Sequence, residues 1–153
     1  MITIADILNP DHIDLDLKMT NQQEAVHHVA SLLREDERVR DWSAFYEGLS
    51  SQQPCLAAAG GTEICIPHTR TESVDSMVMS AGRSAAGILV PGEKWPVHFI
   101  FVIGVPTALA ADYLRIIGAM TRIFRDNAAK EALRKTASRD EFLQLLSSAE
   151  MKL

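Results

Sequence analysis

His68 is the residue of this sequence whose neighbours most favour chemistry. It follows Ile66 and Pro67 at the end of a short apolar stretch, and Thr69 and Arg70 come directly after it. A neutral imidazole is a nucleophile near neutral pH and can carry a covalent adduct. A hydroxyl and a guanidinium beside it suit the oxygens of a phosphate group. The motif therefore predicts either a nucleophilic histidine with phosphate-binding neighbours or, more simply, an exposed histidine at a strand end.

A stretch of small residues precedes this motif. Residues 57–61 read Ala-Ala-Ala-Gly-Gly, and Gly60 and Gly61 permit tight turns and the close approach of a phosphate to the backbone. Pro67 fixes its own φ angle and stiffens the chain before the imidazole. Since ligands of α/β sheets bind at strand ends, this position suits a binding site.

The remaining histidines and the cysteines do not have metal-ligand spacing. His27 and His28 are adjacent on a predicted helix and point about 100° apart, so they are expected on the surface. His12 opens a predicted strand and is expected in a turn, and His98 is expected near the rim of the core strand. Cys55 and Cys65 form no metal motif, and reduced, buried thiols are the preferred interpretation. No metal or organic cofactor is expected.

Alternating and continuous apolar patterns predict the strands that position His68. Residues 97–105 are nearly all apolar, which predicts a central strand covered on both faces. Further strands are predicted at residues 12–17, 63–67, 77–80 and 86–90, with His68 just past the end of the second of these.

Helical periodicity occupies the rest of the chain. Helices are predicted at residues 20–33, 41–51, 108–125, 128–135 and from 138 onward, with one turn at residues 3–8. Thr20 and Ser138 are the expected N-caps. The element order predicts one domain over residues 1–153, an α/β sandwich of a mixed β-sheet with helices on both faces.

Charge and hydropathy exclude several classes of function. The net charge is -5, and the basic residues between Arg122 and Arg139 alternate with acids, so nucleic-acid binding is disfavoured. The apolar runs are too short to span a membrane, and the acidic start of the chain is unlike a signal peptide. These features predict a cytoplasmic protein without direct membrane insertion.

Two segments resemble a known family. Ile64-Cys-Ile-Pro-His68 with Thr69-Arg70, and the apolar strand ending in Val105-Pro106, are similar to the enzyme IIA domains of the fructose/mannitol class. These domains belong to the bacterial sugar phosphotransferase system (PTS) and include nitrogen-regulatory relatives. The resemblance extends over nearly the whole chain, and Ile-Pro-His is its most specific element.

The resemblance implies a mechanism. His68 would take a phosphoryl group from a histidine phosphocarrier protein and pass it to a cysteine of a IIB domain, often part of a membrane permease. The phosphate-supporting residues would be Arg70, Thr69, Gly61, Thr62 and Tyr113. No cofactor is implied, and a homodimer is possible.

Several positions depart from the family pattern. Gln52 and Gln53 stand where the family has Arg-Glu, Ala58 replaces a hydroxyl, and Glu63 replaces a glycine. Tyr113 stands in place of a second histidine. These changes remove a cation and add a carboxylate, which opposes phosphorylation if Glu63 points inward. Two functions therefore stay open: an active phosphotransferase subunit, and a regulatory binding module with weakened or lost phosphotransfer.

Overall fold

One mixed sheet with helices on both faces forms the protein in the computed structural model, which describes residues 1–50, 63–92 and 94–153. Its strands are β1 (Leu8–Asp14), β2 (Ile64–Cys65), β3 (His68–Arg70), β4 (Val78–Ile88) and β5 (Val97–Val105). The helices are α1 (Ile4–Ile7), α2 (Gln22–Ser31), α3 (Trp42–Ser50), α4 (Ala110–Arg125), α5 (Asn127–Lys135) and α6 (Arg139–Met151). The predicted α/β sandwich is confirmed.

The apolar strand β5 is central, as its composition predicts. It pairs antiparallel with β4 on one side and parallel with β2 and β3 on the other, and β1 pairs parallel with β4 at the far edge. Side chains alternate along β5, so Phe99 and Phe101 face α4, α5 and α6 while Ile100 and Val102 face α2 and α3. This alternation buries both faces of the sheet.

The strands β2 and β3 lie in line along the same edge of β5. Ile64 pairs with Phe99 and His68 with Ile103, so the register offset of 35 residues is the same in both strands. The carbonyls of Glu63 and Pro67 accept hydrogen bonds from β5. Pro67 has no N–H to donate, which accounts for the break between the two strands.

Three predicted elements differ from those observed. The edge strand runs from Leu8 to Asp14 rather than over residues 12–17, and it bulges between Leu8 and Ile13. The segments predicted as strands at residues 77–80 and 86–90 are parts of the single strand β4. The N-cap of α2 is Asn21 rather than Thr20, because the Asn21 carboxamide accepts from the backbone N–H of Glu24.

Cys65 lies in the core and is disulfide-bonded, which corrects the expectation of a free thiol there. Cys55 lies outside the described residues. Among those that are described, no helix has both the length and the apolar character needed to cross a membrane.

Candidate active site

His68 is the first residue of β3, so the strand predicted to end before it resumes at this residue. Its half-buried side chain lies on the α4 side of the sheet, in contact with Tyr113 of that helix. The pairing of His68 with Ile103 places it toward the carboxyl end of β5. Ligands of open α/β sheets commonly bind at such ends.

A backbone carbonyl determines which nitrogen of His68 carries the proton. The Nδ1 atom lies 2.7 Å from the carbonyl oxygen of Ile66. Because a carbonyl can only accept, Nδ1 must donate a hydrogen, and Nε2 of the neutral ring keeps its lone pair. The Ile66 carbonyl is available because backbone groups alternate along a strand: those of Glu63 and Pro67 face β5, so that of Ile66 faces the open edge. The geometry therefore leaves the lone pair of Nε2 without a proton in the neutral ring.

The ring of His68 packs against that of Tyr113. The ring centroids of His68 and Tyr113 are 5.0 Å apart and their planes make an angle of 44°. Tyr113 itself packs against the core cluster on the α4 side, as do Ile66, Leu109 and Ile117. Tyr113, which the resemblance names among the supporting residues, therefore contacts the imidazole and covers one side of it.

Arg70 shares the His68 side of β3, because residues two apart on a strand point the same way. Its side chain is exposed, and its Nη2 donates a 3.0 Å hydrogen bond to the carbonyl of Thr107. Thr107 lies in the loop between β5 and α4, close to the helix that carries Tyr113. The guanidinium is thus tethered beside the site.

Thr69 lies apart from these residues. Its side chain is buried and packs against Gly48 of α3, on the opposite face of the sheet from Tyr113. Thr69 lies between His68 and Arg70 on β3. Because successive side chains of a strand point to opposite faces of the sheet, Thr69 points away from the face of His68 and Arg70. The structure does not bring the Thr69 hydroxyl to the imidazole.

Glu63 also lies away from His68. It is five residues earlier along the edge of β5, about 16 Å at the usual rise of a strand. Its Oε2 lies 2.7 Å from Nη2 of Arg134 and 3.0 Å from Nζ of Lys130. Burial opposes ionisation of this carboxyl, but hydrogen bonds from the two cations outweigh burial and lower its pKa. The expectation that Glu63 opposes phosphorylation required an inward orientation, and the side chain points instead to α5.

Gly61 and Thr62, predicted as phosphate-supporting residues, lie outside the described residues, as do Gln52, Gln53 and Ala58.

Two contributions were not anticipated from the sequence: the Ile66 carbonyl and the pairing of Glu63 with α5. The first has a weak signal in the sequence, since every second carbonyl of an edge strand faces away from the sheet and is open to a side chain two residues on.

Comparisons with known proteins agree with this geometry. Residues 6–149 match the family model for the phosphoenolpyruvate-dependent sugar phosphotransferase system, EIIA 2. The chain belongs to this family. A curated EIIA 2 relative is the PTS system fructose-specific EIIA component of Haloferax volcanii, 26% identical over 145 residues, with 94% of each chain covered.

Solved structures show the same fold. The nitrogen regulatory protein IIA-Ntr from Neisseria meningitidis superposes with a TM-score of 0.79 at 23% identity, covering 94% of this chain and 98% of that one. A complex of enzyme IIAMTL and phosphorylated enzyme IIBMTL from Escherichia coli matches with a TM-score of 0.72 at 19% identity, covering 93% and 99%. Membership of the EIIA 2 family implies a phosphoryl-carrier role for the chain.

Proposed function

We propose that this EIIA 2 protein accepts a phosphoryl group on Nε2 of His68 from a histidine phosphocarrier protein and passes it to a IIB domain. The Nε2 lone pair attacks phosphorus, while the bond from phosphorus to the carrier's ring nitrogen breaks and its electron pair returns to that ring. In the second transfer a cysteine thiolate of the IIB domain displaces His68 in the same way. No cofactor enters either step. The transfers take place in the cytoplasm, and a membrane permease component takes up the sugar.

The hydrogen bond from His68 Nδ1 to the Ile66 carbonyl carries this proposal. It presents Nε2 unprotonated and leaves Nδ1–H bound to an acceptor that becomes a better partner when the phosphorylated ring gains positive charge. Phosphoryl transfer depends mostly on positioning and on charge stabilisation, so a ring oriented before the carrier arrives contributes directly to the rate.

Two further groups beside His68 can stabilise the negative charge of the phosphate. Arg70 is tethered beside His68 and can donate to phosphate oxygens. The positive end of α4 begins at Ala110, and within the described residues no side chain caps its first turn, so its N–H groups favour an anion nearby. Asp112 in that turn offsets part of this effect.

Intact-mass measurement tests the proposal. The protein is mixed with phosphoenolpyruvate, its kinase and the phosphocarrier protein, and gain of one phosphoryl group is expected in wild type but not in His68→Ala. The variant His28→Ala is the matched control, because His28 is a part-buried histidine of α2 that pairs with Asp14 of β1. Equal labelling of His68→Ala, or no labelling of wild type with a cognate carrier, would refute the proposed acceptor.

A regulatory binding module is the second candidate. Tyr113 in contact with His68 cannot be cationic, and Arg70 is tethered to Thr107, so charge compensation at the site depends on a guanidinium that is not free to move onto the phosphate. Such a module would have weakened or lost phosphotransfer. The two candidates differ in the same assay: a transfer subunit is labelled by the phosphocarrier and emptied by a IIB domain, whereas a regulatory module is labelled slowly or not at all.

A further inference from the structure

Glu63 adopts a backbone conformation that its side chain disfavours. Its φ angle is 63°, in the left-handed region that glycine enters freely and a β-carbon opposes. It stands immediately before β2, at the start of the edge segment that leads to His68. A glutamate here needs a compensating interaction.

That interaction is a set of contacts to the carboxylate from three groups. Its Oε2 is bound by Lys130 and Arg134 of α5, at 3.0 and 2.7 Å, and Nε2 of His98 lies 3.6 Å from its Oε1. The carboxylate is 25% exposed, so the two cations are only partly screened by water. Strict alternation would direct residue 63 to the same face as Cys65, and the left-handed backbone turns it to the α5 face instead.

This anchor lies on the segment that orients the imidazole. The Glu63 carbonyl accepts from the N–H groups of His98 and Phe99, and the Pro67 carbonyl accepts from Ile103. Because Pro67 has no N–H, the segment between these two carbonyls lacks one hydrogen bond to β5, just before His68. Among the described strands, β5 is the one sheet partner of this edge. With a weakened middle and a single partner, the segment depends on its first residue to keep its register.

We propose that Glu63 is a positioning residue for His68. Its ion pairs with α5 hold residue 63 in its left-handed conformation, and this fixes the backbone path of the edge segment on which the Ile66 carbonyl meets Nδ1 of the ring. This role rests on the proposed function of His68, but its effect on the ring can be measured without any phosphate transfer.

The first test measures the tautomer of His68. The full chain, labelled with ¹⁵N in histidine, is compared by NMR at neutral pH for wild type, Glu63→Gln and Glu63→Gly. Glutamine retains length without charge, and glycine relieves the backbone strain, so Glu63→Gly is expected to fold. In Glu63→Gln the Nδ1–H tautomer of His68 should lose its dominance, whereas wild type keeps it and Glu63→Gly, whose glycine adopts this backbone conformation without an anchor, should keep it too. An unchanged tautomer in Glu63→Gln would overturn the proposal.

The second test measures the initial rate of phosphorylation by the phosphocarrier. Misplacement of a reacting group by about 1 Å slows a reaction strongly, so about a 10-fold loss is expected in Glu63→Gln, while Glu63→Gly should stay close to wild type. Glu131→Gln is the matched control, since Glu131 also binds Arg134, at 3.1 Å, but lies on the α5 surface. Its tautomer should match wild type and its rate should stay within about 2-fold. An equal loss in Glu131→Gln would assign the effect to general charge and overturn the proposal. If wild type takes no phosphate, the proposed function fails while the tautomer comparison still decides the role of Glu63.

Discussion

A β-carbon on Gly48 would lie 2.7 Å from the Thr69 hydroxyl oxygen and 3.4 Å from the Thr69 β-carbon. Helix α3 therefore packs on β3 at a distance that only glycine permits at this position. The contact fixes the helix on one face of the strand whose other face carries His68.

Gly48→Ala is accordingly expected to destabilise the protein. Overpacking costs about 1–3 kcal/mol, and the better helix propensity of alanine returns up to about 1 kcal/mol. The free energy of unfolding, measured in urea, should fall by about 1–2 kcal/mol. Adding Thr69→Ala should restore most of the loss, because the two sites are in contact.

Gly118 of α4 provides the control for this prediction. A β-carbon there meets Arg122 at 3.6 Å, an ordinary contact, so Gly118→Ala should be neutral or stabilising. A loss of stability in Gly118→Ala equal to that of Gly48→Ala would contradict the packing explanation.

Thr69→Val should leave phosphorylation unchanged. Valine has nearly the same shape as threonine, and the hydroxyl that it removes faces α3 rather than the imidazole. The initial rate with the phosphocarrier is expected within about 2-fold of wild type. A large loss of rate at unchanged stability would mean that the hydroxyl reaches the phosphate after all.

Arg70→Gln should slow phosphorylation without affecting stability. The side chain is exposed, so little packing is lost, while a charge-assisted donor to phosphate disappears. We expect about a 10-fold lower initial rate and an unchanged Tm. Arg125→Gln removes the same charge from an exposed position near the end of α4, roughly 18 Å along the helix from Tyr113, and should match wild type.

Glu63→Gln should lower stability at neutral pH but not in acid. The pKa of Glu63 is lowered in the folded protein, with burial opposing and the hydrogen bonds from Lys130 and Arg134 favouring the charged form. A carboxyl with a depressed pKa stabilises the fold fully above its usual value of 4.5 and loses that contribution as pH falls through the folded pKa.

The measurement is the unfolding free energy of wild type and Glu63→Gln from pH 7 to pH 3. A difference of about 1 kcal/mol is expected at pH 7, and it should shrink as the pH falls below about 4.5. A difference that stays constant over this range would show that the charge of Glu63 does not contribute.

The sequence predicts most of the frame of the site. The apolar run of β5 and the Ile-Pro-His motif locate the central strand and the imidazole, because both are local patterns. The start of strand β3 at His68 could not be predicted, since Pro67 interrupts the strand pattern just before it. The opposite orientations of Thr69 and Arg70 follow from the position of this strand. The ion pairs of Glu63 are with Lys130 and Arg134, which come 67 and 71 positions later in the chain. Only the packing of α5 on the sheet brings them together.

The two borders of the sheet share a property with consequences for association. At one border, β1 contains Pro10 and bulges between Leu8 and Ile13; at the other, Pro67 interrupts the line from β2 to β3. A proline and a bulge each deny an incoming strand a regular row of backbone donors. Among the described strands, strand addition at these two borders is thus disfavoured, and the helical faces are the surfaces better suited to meet a second copy of this chain.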